Sequence, residues 1–422
     1  MRMGRTVGDN EKKLFGNTAM LYLMTFSTQL LNLATVPYLT RVLGAVSYGK
    51  VGLALSYMAY VQIIIDFGFI LSATRKIAEY RDNRAFLSEV FTSVAVAKML
   101  LGGTVSIIFA VFVGLNDSLN QDFGFYMLYL LAYLINAMMP DYFYRGFENM
   151  KVITLRAVSI KILFTLLVFV FVHGPRDYLR IPGFNIAGNS VAVLLMYVDI
   201  KKNYSVWFCP VPWSTIWKHI KDSAQFFSSR ISSVVYQASN AIILNIIYGS
   251  SAIIGYYTAA DKIVSLVKSG SSPVADSLFP YMVKNKNFRL IKKVLCIFMP
   301  VIFVCAAICA VYAEEICVFL FGGEYRHAGL ILRLLLPYII VIFPTYILAF
   351  PVMVPLGLTK YANMSNVFGL VIQITLIIAA VICKKVNIYS ICIITSITEV
   401  SVFMYRLYYV FKKYRSIKRR HL

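Results

Sequence analysis

The chain is poor in charge, and poorer still in acid. Only 14% of its 422 residues are Asp, Glu, Lys or Arg, against about 25% in an ordinary soluble domain. So few charges could not cover a soluble globule whose residues are 59% hydrophobic. A soluble enzyme, a disordered scaffold and a secreted disulfide protein are therefore excluded. Cysteine is also sparse. Cys209, Cys296, Cys305, Cys309, Cys317, Cys383 and Cys392 lie mostly in apolar runs and form no CxxC, which reads as small packing residues. His173, His219, His327 and His421 are too scattered for a metal site. No GxxxxGK[ST] occurs, which argues against an ATP-binding loop. No stretch between apolar runs is long enough to fold as an extramembrane domain.

What is abundant is apolar length. Mean hydropathy is +0.72, and the pattern is that of an all-α polytopic membrane protein. A crossing helix needs about 20 mostly apolar residues. The sequence predicts twelve such spans, near 14–39, 47–72, 88–114, 123–143, 153–173, 181–199, 224–248, 252–282, 294–313, 328–354, 361–383 and 387–411. The first follows Met1–Lys13 and lacks a small-residue cleavage site, so it is read as a retained helix.

Charge placement gives a direction. With the N-terminus in the cytoplasm, 27 of the 41 Lys and Arg fall in tails and loops on that side and 7 on the other. This asymmetry predicts cytoplasmic termini. Most of the +22 net charge then reports topology and contact with anionic membrane lipid, not nucleic acid. The basic run from Lys412 to Arg420 reads as a stop-transfer cluster. The expected organisation is an N-terminal six-helix bundle (1–200), a cytoplasmic linker with an amphipathic segment (201–223), a C-terminal six-helix bundle (224–411) and a basic tail (412–422).

The halves echo one another. Leu43-Gly44 with Ser47-Tyr48-Gly49 matches Tyr248-Gly249 with Ile253-Ile254-Gly255-Tyr256, and Gly146–Lys151 matches Gly357–Tyr361. Six spans per half place both copies in the same orientation, a parallel repeat suited to two bundles around a central cavity.

Ionisable groups inside spans are costly and face water or a partner. Asp199, Asp222 and Arg406 lie near span ends, where they can snorkel, and Asp141 and Arg333 can be interfacial. Lys98, Arg230, Lys262 and Lys268 are deeper. Lys262 and Lys268 are six residues apart and do not share a narrow stripe, whereas Lys268 faces with Ser265 or Ser272. Ser265–Ser277 and Ser228–Asn240 are rich in small and hydroxylated residues, so spans seven and eight are expected to line a polar cavity. Several cations there suit an anionic, phosphate-bearing substrate. The competing reading is intramembrane ion pairing, for instance Lys262 with Asp276 or Asp66 with Lys98. Asp66 could serve as an ion relay or as a packing partner.

Val36-Pro37-Tyr38-Leu39-Thr40-Arg41-Val42-Leu43-Gly44, Tyr48-Gly49, Asp66-Phe67-Gly68-Phe69 and Ala73-Thr74-Arg75-Lys76-Ile77-Ala78 together resemble the bacterial Wzx O-antigen flippases. These are polysaccharide transporters of the multidrug/oligosaccharidyl-lipid/polysaccharide exporter superfamily. Gly255-Tyr256-Tyr257, Ala259-Ala260-Asp261-Lys262-Ile263, Phe279-Pro280, Pro355-Leu356-Gly357 and Lys360-Tyr361 are similar to the family's second half. The resemblance covers essentially the whole chain. It implies twelve transmembrane helices in two pseudo-symmetric bundles in the bacterial inner membrane. It implies translocation of an undecaprenyl-diphosphate-linked oligosaccharide from the cytoplasmic to the periplasmic leaflet. It also implies partnership with an O-antigen polymerase and a chain-length regulator. Lys98, Arg230, Lys262 and Lys268 would then contact the diphosphate or sugar, with Arg41 and Arg75 at gating or head-group positions. Tyr236, Tyr256 and Tyr257 could stack on sugar rings. No cofactor or metal is expected. A coupling ion, H+ or Na+, would use Asp66 or Asp261. The alternatives are a cation-coupled multidrug exporter or peptidoglycan lipid-precursor flippase of the same fold, and a membrane enzyme of the O-antigen polymerase type. Mid-span bases that rival mid-span acids disfavour the multidrug exporter, and the short external loops disfavour the enzyme.

Overall fold

The computed structural model describes residues 7–249 and 251–418. Every regular element among them is helical. In chain order they are α1 (Val7–Asp66), α2 (Phe69–Glu79), α3 (Arg84–Leu115), α4 (Asp117–Asn120), α5 (Phe123–Ala137), α6 (Asp141–Gly146) and α7 (Met150–Phe171). There follow α8 (Arg180–Asp199), α9 (Trp213–Tyr248), α10 (Ala252–Asn285), α11 (Phe288–Phe321), α12 (Ala328–Ile347), α13 (Thr359–Ile382) and α14 (Ile388–Lys418). Among the described residues, nine helical stretches are long and apolar enough to cross a membrane. One of them, Ala19–Glu79, has 61 residues, about three times a single crossing. α10 is not among them, and the part of α9 whose side chains are described contributes the shorter apolar stretch Ala238–Tyr248. These are the two segments whose serines and cations pointed to a polar face.

Helix breaks account for most departures from the expected spans. α1 is two helices joined at Gly44, whose φ of 72° and ψ of 170° are non-helical; a side chain disfavours this conformation. The second section stops at Asp66, because Phe67 (φ 37°) and Gly68 (φ 84°) both turn left-handed. The Asp-Phe-Gly-Phe motif thus marks a break within the expected second span, after which α2 starts afresh at Phe69. Pro140 separates α5 from α6. A π-helical segment, Leu348–Met353, follows α12 and contains Pro351.

The chain divides into two compact units. One comprises Met1–Val42 and Ala54–Ile231; the other comprises Leu43–Leu53 and Ser232–Leu422. The N-terminal unit has a core of Phe69, Ile77, Phe91, Phe143, Tyr144 and Ile153, joined by Val206 and Ile216 from the stretch after α8. A β-carbon on Gly146 would lie 2.5 Å from the Ile77 side chain, so α6 and α2 are in near-backbone contact. In the C-terminal unit α12 packs against α10, α11 and α14, with Phe343 and Ile347 in a core that includes Leu278 and Met282. The Leu43–Leu53 stretch of α1 is pressed onto α10 in the same unit. A β-carbon on Gly255 would collide with the Ala45 carbonyl oxygen, and one on Gly49 would fall 2.8 Å from the Gly255 nitrogen. The two segments matched as a sequence repeat therefore lie against each other, through their glycines.

Candidate functional site

The C-terminal unit holds a cavity of about 530 Å3 between α10, α12 with its π-helical extension, α13 and α14. That volume is within the range of small-molecule sites, roughly 300–1,000 Å3. Helical spacing explains its walls. α10 contributes Lys268, Ser272 and Asp276, each four residues on from the last. α14 contributes Glu399, Val402 and Arg406, three and four apart. α12 contributes Tyr338, Ile342, Thr345 and Tyr346. The π-helical segment forms the remaining wall with Ala349, Phe350 and Pro351. Proline removes a backbone donor, and irregular backbone within a membrane is tolerated where it is buried in protein or lines a cavity.

Arg406 is buried, with 7% of its surface exposed, and Glu399 with 6%. The guanidinium joins three helices. Nε donates to Ser365 Oγ at 2.8 Å, one terminal nitrogen to the Thr345 carbonyl at 2.7 Å, and the other to Asn366 Oδ1 at 3.0 Å. Arg406 was expected at a span end, where it could snorkel. Instead the turn that carries it faces α12 and α13. Lys268 is partly buried, and its Nζ lies 5.0 Å from the centre of the Tyr338 ring. Among the described residues no carboxylate is within salt-bridge distance of it. Asp276, two turns further along α10, accepts a hydrogen bond from Ser272 Oγ at 3.1 Å. The cavity lining therefore carries two cations, Lys268 and Arg406, and two carboxylates, Asp276 and Glu399, beside aromatic rings and the Asn366 amide.

A neutral polar cluster joins α9, α10, α13 and α14. Asn240 Nδ2 donates to Tyr257 Oη and Thr395 Oγ1, each at 2.8 Å, and accepts from Gln373 Nε2 at 3.0 Å. Asp261 and Lys262 follow Tyr257 on α10, and both are partly exposed. Lys262 does not line the cavity and does not pair with Asp276 among the described contacts. Tyr256 meets Tyr325 edge-on at 5.9 Å. The side chains of Arg230 and Tyr236 lie outside the described residues.

In the N-terminal unit, Lys98 is 6% exposed. Its Nζ is 3.3 Å from Asp66 Oδ1 and donates to the Ala137 carbonyl at 2.7 Å. That carbonyl belongs to the last residue of α5, where helical donors run out. Gln62 Nε2 donates to the other Asp66 oxygen at 2.9 Å, and Asn136 Nδ2 to Gln62 Oε1 at 3.3 Å. Of the two pairings the sequence left open, the structure forms Asp66 with Lys98. Arg75 is exposed and paired with Glu79 at 2.9 Å. Arg41 is exposed on α1, three residues before the Gly44 kink. The span-end charges find partners too: Asp141 with Arg156 at 2.8 Å, Arg333 with Glu314 at 3.1 Å, and Asp222 with Lys76 at 2.7 Å.

The predicted cations thus separate. Lys268 faces the cavity of one unit, Lys98 is paired in the other, and Lys262, Arg41 and Arg75 lie outside the cavity. Asp276, Asn366, Glu399 and Arg406 are the cavity residues that sequence reasoning did not select. The seven-residue spacing of Glu399 and Arg406 on one face of an otherwise apolar helix was the available signal.

Among known proteins, one named "putative O-antigen transporter" from Escherichia coli (strain K12) is 25% identical over 289 residues, covering 68% of this chain and 69% of its own. An inward-facing multidrug resistance MATE family transporter of the MOP superfamily superposes with a TM-score of 0.70 at 16% identity, over 92% of this chain and 96% of that one. The lipid II flippase MurJ in an inward closed conformation superposes at 0.66 and 14% identity, over 94% and 89%. These two likenesses establish the fold. The model of the polysaccharide biosynthesis protein family matches residues 14–286, well over half of the sequence, and the chain belongs to that family.

Proposed function

We propose that this protein is a flippase. It moves an undecaprenyl-diphosphate-linked O-antigen repeat unit from the cytoplasmic to the periplasmic leaflet of the bacterial inner membrane, by alternating access. The family match supports a role in polysaccharide biosynthesis, and the E. coli relative is named for O-antigen transport. The observation that carries the reading in this chain is Lys268: an ammonium that, among the described residues, has no carboxylate within salt-bridge distance and lines a cavity between helices. An ammonium desolvated in this way favours an incoming phosphate. Asp276 and Asn366 can accept and donate hydrogen bonds to sugar hydroxyls, and Tyr338 and Phe279 offer ring faces. Arg406, already bonded to three groups, holds the wall in place. The polyprenyl tail stays in lipid.

In this reading twelve spans form bundles at 1–200 and 224–411, joined by the linker 201–223 and followed by the tail 412–422, with both termini cytoplasmic. α9 and α10 both cross the membrane, and α10 does so with Lys268, Ser272 and Asp276 turned to the cavity. Arg230 and Lys262 supply further positive charge along the route, and Arg41 and Arg75 act at its ends. Coupling to a proton or sodium gradient runs through Asp66 or Asp261. Transport that survives collapse of both gradients removes that coupling.

The test is deletion with complementation, scoring surface O-antigen and the leaflet that holds the lipid-linked unit. The expected result is accumulation on the cytoplasmic side. Normal translocation with unpolymerised units would indicate a polymerase instead. Export of cationic drugs without any change in the lipid-linked pool would indicate the multidrug reading.

A further inference from the structure

The chain has three tryptophans, and all of them, Trp207, Trp213 and Trp217, lie within the stretch between α8 and the second turn of α9. Trp213 and Trp217 are 60% and 58% exposed, and Trp207 and Phe208 are also on the surface. The stretch itself is fixed in place. Val206, Ile216 and His219 are buried. The Cys209 N–H donates to Thr92 Oγ1 at 3.1 Å, the Ser223 and Ser72 hydroxyls share a hydrogen bond of 2.6 Å, and Lys76 holds Asp222. The aromatic rings are therefore presented outward from a docked segment.

Four lysines accompany them: Lys201, Lys202, Lys218 and Lys221, all exposed. Lys201 Nζ lies 4.8 Å from the centre of the Trp207 ring. Trp213, Trp217 and Lys221 follow one another at intervals of four residues along α9, so they form a single stripe, with Lys218 beside it. Among the described residues none of the four lysines has a carboxylate at salt-bridge distance, and the nearby Asp222 is taken by Lys76. Exposed indole surface is unfavourable in water but favourable at the boundary between headgroups and acyl chains. A cluster of ammonium groups beside it draws the segment toward an anionic lipid surface.

We propose that residues 201–221 form a binding site for anionic phospholipid headgroups. The three indoles sit at the headgroup–acyl boundary and the four lysines engage the lipid phosphates. The inference does not depend on what the protein transports.

The tryptophan count makes the experiment direct, since intrinsic tryptophan emission reports this segment alone. The full chain is placed in nanodiscs of phosphatidylcholine with phosphatidylglycerol, with one or the other lipid brominated on its acyl chains. The expected result is strong quenching by brominated lipid and weak quenching by aqueous acrylamide. Brominated phosphatidylglycerol should quench several-fold more per mole than brominated phosphatidylcholine. The quadruple variant K201Q/K202Q/K218Q/K221Q should lose that preference and keep its quenching by brominated phosphatidylcholine. Emission open to acrylamide and insensitive to brominated lipid overturns the proposal. So does emission dark to both quenchers, which would mean that protein covers the rings. Equal quenching by the two lipids in the unsubstituted chain overturns the anionic preference without any need for the variant.

Discussion

The Glu324 carboxylate accepts a hydrogen bond from the Ala45 backbone N–H at 3.0 Å. Ala45 is the first residue past the Gly44 kink, where helix α1 restarts and its N–H groups lack helical partners. Glu324 therefore caps this restart from 279 residues away in sequence. Replacing it with alanine is expected to cost about 1 kcal/mol, as for the loss of an N-cap, with glutamine intermediate. Thermal unfolding of the purified protein reads the difference. Unchanged melting of Glu324→Ala would show that water replaces the carboxylate.

The Asp66–Lys98 pair permits a sharper test. Lys98 is buried and the Asp66 side chain is 23% exposed, so removing one partner is expected to cost somewhat less than the about 3–5 kcal/mol of a fully buried pair, while replacing both with apolar groups of similar size can be neutral. Asp66→Asn and Lys98→Ala are each expected to destabilise strongly, and Asp66→Leu/Lys98→Met to melt near the parent. If the double variant is stable and transports normally, the pair is structural only. If it is stable and inactive, Asp66 or Lys98 acts in transport.

Lys268 and Arg406 should part ways in the same assays. Among the described residues Lys268 meets no carboxylate, so Lys268→Ala should leave stability unchanged. It should slow translocation by about tenfold to a hundredfold, the worth of one charge-assisted hydrogen bond. Arg406→Lys keeps the charge but cannot make three bonds in a fork, and should lower stability by about 1.5–3 kcal/mol. A stability loss in Lys268→Ala would refute its assignment to substrate.

His219 predicts a pH response. Burial, with Lys76 Nζ 3.0 Å from its Nδ1, pushes its pKa down from 6.5 to about 4. The folded state thus holds the ring neutral while the unfolded chain protonates it. Stability contributed by this residue is complete above pH 6.5 and is lost as pH falls toward 4. Asp222, held below the usual carboxylate range first by its hydrogen bond from Lys76, acts in a lower window, below its ordinary value of 3.8. Melting temperature should therefore fall between pH 6.5 and 4, and His219→Gln should flatten that interval. A parent protein whose melting is level across it contradicts the assignment.

Hydropathy alone determined that the chain is helical and built for a membrane, because span length and apolar composition are local properties. The serine-rich character of α9 and α10 marked them as the more polar helices, and α10 is not among the described stretches apolar enough to cross a membrane. The motif glycines found their contacts: Gly49 and Gly255, matched as repeats, meet each other. Which charges meet was a different matter. Lys98 reaches Asp66 across 32 residues. The left-handed turn at Phe67 and Gly68 ends α1 just after Asp66, and α5 stops at Ala137 with a free carbonyl. Arg406 looked peripheral by its distance from a span end, yet it is buried against α12 and α13. The rotation of a helix about its axis and the positions of its breaks decide whether a charge meets lipid, a partner or a cavity. Those are set by packing between helices, which no single segment of sequence encodes.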